Sequence, residues 1–377
     1  MNYQQYLRVA KFLPRLIYKR NGLPNYFVFF ITHRCVAYCD HCFDWERRKN
    51  TKQEDELAIK EIEKISKSMD DILFMFLTGG EPFIREDISE IAKIFYKNNR
   101  VMKFQIPSNG WFTDSIVRNL KEIAETCPNV HVSTTISIDS LGQKHDKIRH
   151  LEGLFDNAIS TIKEVKKLEN HFPNIGLNVE ITVSKNNQAD LIDTYNYLTR
   201  KIGVSNVFFP LIRGKPRKEG MKDVNMDFYE ELIKKSDIDV WRKTSKGYRG
   251  FPFARVVTWK NVIQQKLIAN IKRNNRSVIP CVAGRDYGIL YANGDVFPCE
   301  MLKMSLGNVK DYGYDFKKLW LEKNNRAMVK KKIIKSKCFC THECAISASL
   351  LLNPRYLLKI IVNGIANDVL YNARYRL

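Results

Sequence analysis

The sequence predicts an α/β fold built on a parallel sheet. From residue 26, six short runs rich in β-branched and aromatic residues alternate with segments whose apolar residues recur at spacings of three and four. One-for-one alternation of strand and helix calls for right-handed crossovers in a single sheet. Polar or cysteine-rich stretches follow the strands at their C-terminal ends, where both doubly wound sheets and barrels place function.

The expected strands are "YFVFFIT" (26–32), "ILFMFLT" (72–78), "KFQIPS" (103–108), "HVSTTISID" (131–139), "GLNVEITV" (176–183) and "NVFFPLI" (206–212). The amphipathic helices between them cover 54–69, 86–98, 113–125, 154–169 and 188–201. Thr113 and Asp114 are expected to cap the third helix, and Asp156 the fourth. The first strand runs straight into "THRCVAYCDHC", the second into "TGGEP" (78–82), the third into "PSNG" (107–110), and the fourth ends at Ser137-Ile-Asp139. Four chemically loaded stretches therefore share one rim.

Of the 377 residues, 44% are hydrophobic and 27% charged, which suits a packed core. No run of 18 apolar residues reads as a membrane span, and the N-terminus lacks a signal peptide's apolar segment, so the chain is expected in the cytoplasm. The net charge of +21 fits a lysine-rich solvated surface and is compatible with anionic partners. The tail after Pro354 reads as an amphipathic helix. It is expected to pack back on the body, with an anionic membrane surface at the inner membrane face as the sharper alternative.

Nine cysteines in a cytoplasmic chain of this size argue for metal or redox chemistry over disulfides. Cys127 stands alone and is expected to be a small buried hydrophobe. Cys35, Cys39 and Cys42 leave one vacancy in any four-ligand site. A [4Fe–4S] cluster held by three thiolates has one iron open to a ligand. A zinc site completed by His33 or His41 is the competing reading.

"CVAYCDHC" resembles the C-x3-C-x-aromatic-C signature of the radical S-adenosylmethionine (SAM) superfamily, with His41 at the aromatic position. The resemblance continues through Gly79, Gly80, Glu81 and Pro82, and covers about residues 25–215. It implies a partial (β/α)6 barrel, with the cluster on Cys35, Cys39 and Cys42. SAM would bind through its amino and carboxylate groups on the open iron. Its reductive cleavage would give a 5′-deoxyadenosyl radical that takes hydrogen from an unactivated C–H bond. Glu81 and nearby carbonyls would receive the methionine ammonium. Ser108 and Asn109 lie on the next rim loop. Ser137 and Asp139 sit where relatives bind ribose, and Arg149 where they hold the SAM carboxylate. An electron donor such as flavodoxin or ferredoxin is implied.

The C-terminal pattern Cys281-x12-Gly294-x4-Cys299, then "LGNV" (306–309), "LW" (319–320) and Cys338, Cys340 and Cys344 resembles SPASM and twitch modules. "NGDV" reads as a hairpin turn. Five cysteines imply one auxiliary [4Fe–4S] cluster, with Cys281, Cys299 and Cys344 as ligands and Cys338 or Cys340 as the fourth. A zinc ribbon is the alternative there. The expected organisation is a basic lead-in (1–24), the core partial barrel (25–215), a basic linking segment (216–280), a small cysteine-rich α+β module (281–346) and a C-terminal amphipathic helix (347–377). The sequence leaves three functions standing. One is radical SAM chemistry on a small-molecule, sugar or lipid-linked substrate. The second is maturation of a peptide. The third is a non-enzymatic iron–sulfur or zinc protein on nucleic acid, which no basic–aromatic strand motif supports.

Overall fold

The computed structural model describes residues 22–49, 51–241 and 254–362. Nearly all of the lead-in and the tail beyond residue 362 lie outside them. Six parallel strands follow one another across the sheet: β1 (Tyr26–Thr32), β2 (Phe74–Gly79), β3 (Lys103–Ser108), β4 (His131–Ser137), β5 (Ile175–Glu180) and β6 (Val207–Phe208). Helices Ile59–Lys67, Ile88–Asn99, Thr113–Thr126, Leu154–His171 and Leu191–Asn196 alternate with them. This is the open partial barrel. β6 is shorter than expected because Pro210 has no amide to donate; beyond it only an isolated bridge joins Leu211 to Val183. The last helix ends in a π turn over Tyr197–Lys201. Thr113 does not cap its helix; its hydroxyl bonds that of Thr161 at 2.6 Å, which ties two outer helices together.

Strand alternation divides the barrel into an outer core and a lumen. The outward set on β1, Phe27 and Phe29, packs on Phe95, with ring centroids 6.5 and 6.2 Å apart. Cys127 is fully buried in this outer layer, as its isolation in sequence suggested. Inward residues are of two kinds. Tyr26, Val28 and Phe30 of β1 and Phe74 and Phe76 of β2 make an apolar wall. Lys103 and Gln105 of β3, Thr135 and Ser137 of β4 and Glu180 of β5 make a polar one. The polar wall is internally bonded: Gln105 Nε2 donates to Thr135 Oγ1 at 2.6 Å, and Ser133 Oγ to Gln105 Oε1 at 2.8 Å.

The C-terminal region extends the barrel sheet. β7 (Tyr287–Leu290) pairs in parallel with β1, and β8 (Asp295–Phe297) and β9 (Gly307–Asn308) follow antiparallel, giving the order β6-β5-β4-β3-β2-β1-β7-β8-β9. The β7–β8 hairpin turns through Gly294 at φ +97°, where a Cβ would meet Asn308 Oδ1 at 2.7 Å. The linking segment contains helices Met226–Trp241 and Ala254–Asn274. The second of these and helix Glu343–Leu351 cover the lower lumen, joined where Lys260 Nζ donates to Ser347 Oγ at 3.0 Å. Among the described residues no single helix is long and apolar enough to cross a membrane. Helices Glu343–Leu351 and Pro354–Val362 meet that test only as a pair, and they are bent by 85°.

Trp320 fixes this extension to the barrel. It is buried, stacks on Phe316 at 5.5 Å, covers Gly288 of β7 and donates through Nε1 to Gly22 O at 3.3 Å. Trp320→Ala is expected to cost about 3–5 kcal/mol, read as a lowered urea midpoint.

Candidate active site

The cysteine loop is shaped by its neighbours. The amides of Tyr38 and Asp40 donate to the carbonyls of Arg149 and Ile148 at 2.8 and 3.0 Å, so the end of helix Gln143–Arg149 grips the loop. Cys35, Cys39 and Cys42 line one cavity of about 220 Å³. His41, Gly79, Gly80, Ser108, Asn109, Ser137 and Arg149 line the same cavity, as their rim positions predict. His33 is not among the residues lining this cavity; its Nδ1 lies 2.7 Å from Asp44 Oδ2 in a buried pair.

The two glycines are required by backbone, not only by a ligand. A Cβ on Gly79 would lie 1.9 Å from Thr32 O, and one on Gly80 2.3 Å from Arg34 O. The turn therefore passes directly against the root of the cysteine loop. There Gly80 N donates to Thr32 O at 3.0 Å and Glu81 N to Arg34 O at 2.8 Å. The structure gives the Glu81 carboxylate a different task from the expected one. It is fully buried off the cavity and accepts from Ser108 Oγ (2.9 Å), Asn109 N (2.7 Å) and Phe83 N (3.2 Å). Burial pushes this carboxyl up to about 7 in spite of those three donors. Pro82 opens the buried turn behind it.

Asp139 also lies behind the cavity wall. Its Oδ2 accepts from Arg149 Nε at 2.7 Å and its Oδ1 from Thr182 N at 3.0 Å. Burial favours protonating it, but Arg149, then His41, overcome this and hold the carboxyl at about 2. Asp139 thus positions Arg149, which reaches the cavity. Burial lowers His41 to about 4, and its Nε2 stands 3.8 Å from Asp139 Oδ2. Ser137 Oγ donates to Glu180 Oε1 at 3.0 Å. Glu180, Arg213 and Arg48 were not singled out in the sequence, although each lines the cavity. Glu180 falls on the inward phase of β5 and could have been found from that; the two arginines come from outside the strand pattern.

The radical SAM superfamily model matches residues 29–198, the span that carries the three thiols and the double-glycine turn. Those residues carry a radical SAM domain. It is similar to the AdoMet-dependent heme synthase of Methanosarcina barkeri (strain Fusaro / DSM 804), 25% identical over 79% of this chain and 82% of that protein. It is also similar to the Fe-coproporphyrin III synthase of the same organism, 28% identical over 61% of this chain and 54% of that one, so the chain spans about half of that relative. Among solved structures, Streptococcus suis SuiB bound to precursor peptide SuiA shares the fold at a TM-score of 0.60 and 15% identity, covering 92% of this chain and 76% of that one. Radical SAM enzymes use a [4Fe–4S] cluster and SAM, and those of the SPASM type carry auxiliary clusters.

The cavity residues fit the first cluster of a radical SAM enzyme. Arg48 Nη1 lies 3.7 Å from Cys42 Sγ and Asn109 Nδ2 lies 3.9 Å from Cys35 Sγ, placing donors beside sulfurs that must carry negative charge. Without iron, burial pushes Cys39 up to about 12 although Arg149 opposes it, so metal must displace the proton. Among the described residues no three His, Cys, Asp or Glu side chains converge tightly enough for one metal ion.

The C-terminal cysteines have different charged surroundings. Cys281 feels Cys338; Cys299 feels Cys340 and Cys281; Cys340 feels Cys281 and Cys338. The leading charged neighbours of Cys344 are Glu300, Arg213, Glu343 and Glu180, and it lines the barrel cavity. Cys344 thus faces the lumen. Helix Glu343–Leu351 starts between Cys340 and Cys344, with His342 Nδ1 accepting from Ala345 N at 3.2 Å, and its first turn carries Cys344 to the lumen.

Asp139→Asn leaves a buried guanidinium uncompensated. The variant is expected to be about 3–5 kcal/mol less stable at pH 6. Because the folded carboxyl sits below its ordinary value of 3.8, at about 2, the wild-type advantage is present above pH 3.8 and fades as pH falls towards 2. Urea midpoints from pH 6 to 3 should show the two proteins converging.

Proposed function

We propose that this radical SAM enzyme acts on an organic substrate held inside its own barrel, a small-molecule, sugar or lipid-linked compound. The supporting observation is the continuity of the site. The cavity bearing the three thiols, the double-glycine turn and Arg149 adjoins a second chamber of about 160 Å³ lower in the lumen, with Phe76, Glu180, Arg213 and Cys344 lining both. In this reading Cys35, Cys39 and Cys42 hold the SAM-binding cluster. Gly79 and Gly80 form the floor under the methionine end. Arg149, aligned by Asp139, faces the SAM carboxylate, and Ser108, Asn109, Ser137 and His41 complete the cofactor surround. When bound, the cluster and SAM supply a one-electron bond cleavage that allows an unactivated C–H bond to be broken. The chain's own part is to hold that geometry and exclude water. Cys281, Cys299, Cys338 and Cys340 are assigned the auxiliary cluster, which leaves Cys344 on the substrate side.

A peptide substrate is the second reading. The likeness to SuiB with its precursor peptide covers most of the chain, and an open cavity of about 1210 Å³, lined by Phe43, Lys215, Lys272, Lys303 and Phe339, lies beside Cys340.

Anaerobic reconstitution should give about eight irons per chain. Cys338→Ser and Cys340→Ser are each expected to lose about half of that iron, and Cys344→Ser none. Incubation with SAM and dithionite should release 5′-deoxyadenosine, and Cys39→Ala should abolish its release. Release by the Cys39 variant would remove the cluster assignment.

A further inference from the structure

The short helix Trp45–Arg48 follows the cysteine loop, and its last residue turns back onto it. Arg48 Nη2 donates to Cys35 O at 3.3 Å and to Ala37 O, Nη1 lies 3.7 Å from Cys42 Sγ, and the side chain lines the cluster cavity. Its Nε is buried with no hydrogen-bond partner. The other arginines around the site each hold a carboxylate. Arg34 lies 2.9 Å from Glu56, Arg47 3.4 Å from Asp44, Arg149 2.7 Å from Asp139, Arg213 3.1 Å from Glu343 and Arg217 2.9 Å from Asp40. Among the described residues no carboxylate stands at ion-pair distance from Arg48. Its leading charged neighbours are instead Cys35, Cys42 and Cys39.

We propose that Arg48 is a positioning residue that acts through the SAM-binding cluster: its guanidinium is the counter-charge of the three thiolates and raises the cluster's reduction potential. The inference rests on the assignment of that cluster to Cys35, Cys39 and Cys42. Loading iron turns three thiols into thiolates in a water-poor cavity, which is costly unless a cation stands beside them. Reduction then adds one electron from a low-potential one-electron donor, with no bond made or broken, to a centre that is already negative. A fixed cation favours the more negative, reduced form. Net charge and hydrogen bonds to the sulfurs are the levers that set such potentials, and Arg48 supplies both. Its orphaned Nε proton also fits a centre rich in sulfur acceptors. Arg149 contributes less, because Asp139 offsets its charge from 2.7 Å away.

The test is a redox titration of the reconstituted full chain followed by electron paramagnetic resonance. The signal that changes on SAM addition identifies the cluster in question, and the other signal is an internal control. In Arg48→Met the ratio of reduced to oxidised cluster at a fixed poise is expected to fall about ten-fold, or about 59 mV for one electron. Arg48→Lys keeps the charge and should stay within about two-fold of wild type. An unchanged or raised ratio in Arg48→Met, or a fall in Arg48→Lys as large as in Arg48→Met, would overturn the proposal. Iron content and melting temperature report loading and fold, and Arg48→Gln is titrated if Arg48→Met does not load. Loss of the cluster by both neutral variants with full loading of Arg48→Lys supports the counter-charge. Loss by all three would assign Arg48 to the shape of the loop and overturn it. A wild-type protein in which no signal responds to SAM would instead fail the radical SAM reading, which is a distinct result.

Discussion

The site depends on one close passage, where the turn after β2 runs under the root of the cysteine loop. The approach is too tight for any side chain at Gly79 or Gly80. It is held by two backbone bonds to Thr32 and Arg34 and by the buried Glu81 carboxylate, which reaches across to Ser108 and Asn109 at the end of β3. Three successive strand ends are thereby locked in one register. The thiols inherit their spacing from that lock, because the loop that carries them is pinned at its start by β2 and beyond its middle by the carbonyls of Ile148 and Arg149. Binding groups held this way need little reorganisation when a ligand arrives.

A second constraint is electrostatic. Arg149 and Asp139 are buried beside the thiols with His41 partly buried next to them, and Arg213, Glu343 and Glu180 line the lower passage. An arrangement of this kind is poor value for stability alone, since replacing buried ion pairs by apolar groups is often neutral or favourable. Its retention here makes sense if fixed charges face a charged cofactor and a polar substrate end. Cys344 belongs to the same setting, since it lines the lumen with these charges.

Much of this was legible in the sequence. β1 and β3 match their expected limits to the residue; β1 is buried throughout and β3 at every residue but Pro107. The rim residues were legible because they are local: C-x3-C-x2-C and the double glycine each sit on one loop. What escaped depends on distance in the chain. Glu81 reads as a cofactor ligand until its depth is known. Asp139 reads as a rim residue until Arg149 is seen folded onto it. Cys344 lies four residues from Cys340, and the helix start between them turns it to the lumen, which spacing alone does not show.

The most direct test of the account is low-temperature electron paramagnetic resonance of the dithionite-reduced, reconstituted protein, recorded before and after SAM is added. An iron site left open by three thiolates and faced by Gly79, Gly80 and Arg149 predicts a [4Fe–4S] signal whose g values and line shape change on SAM addition. A cluster signal that is identical with and without SAM would contradict it.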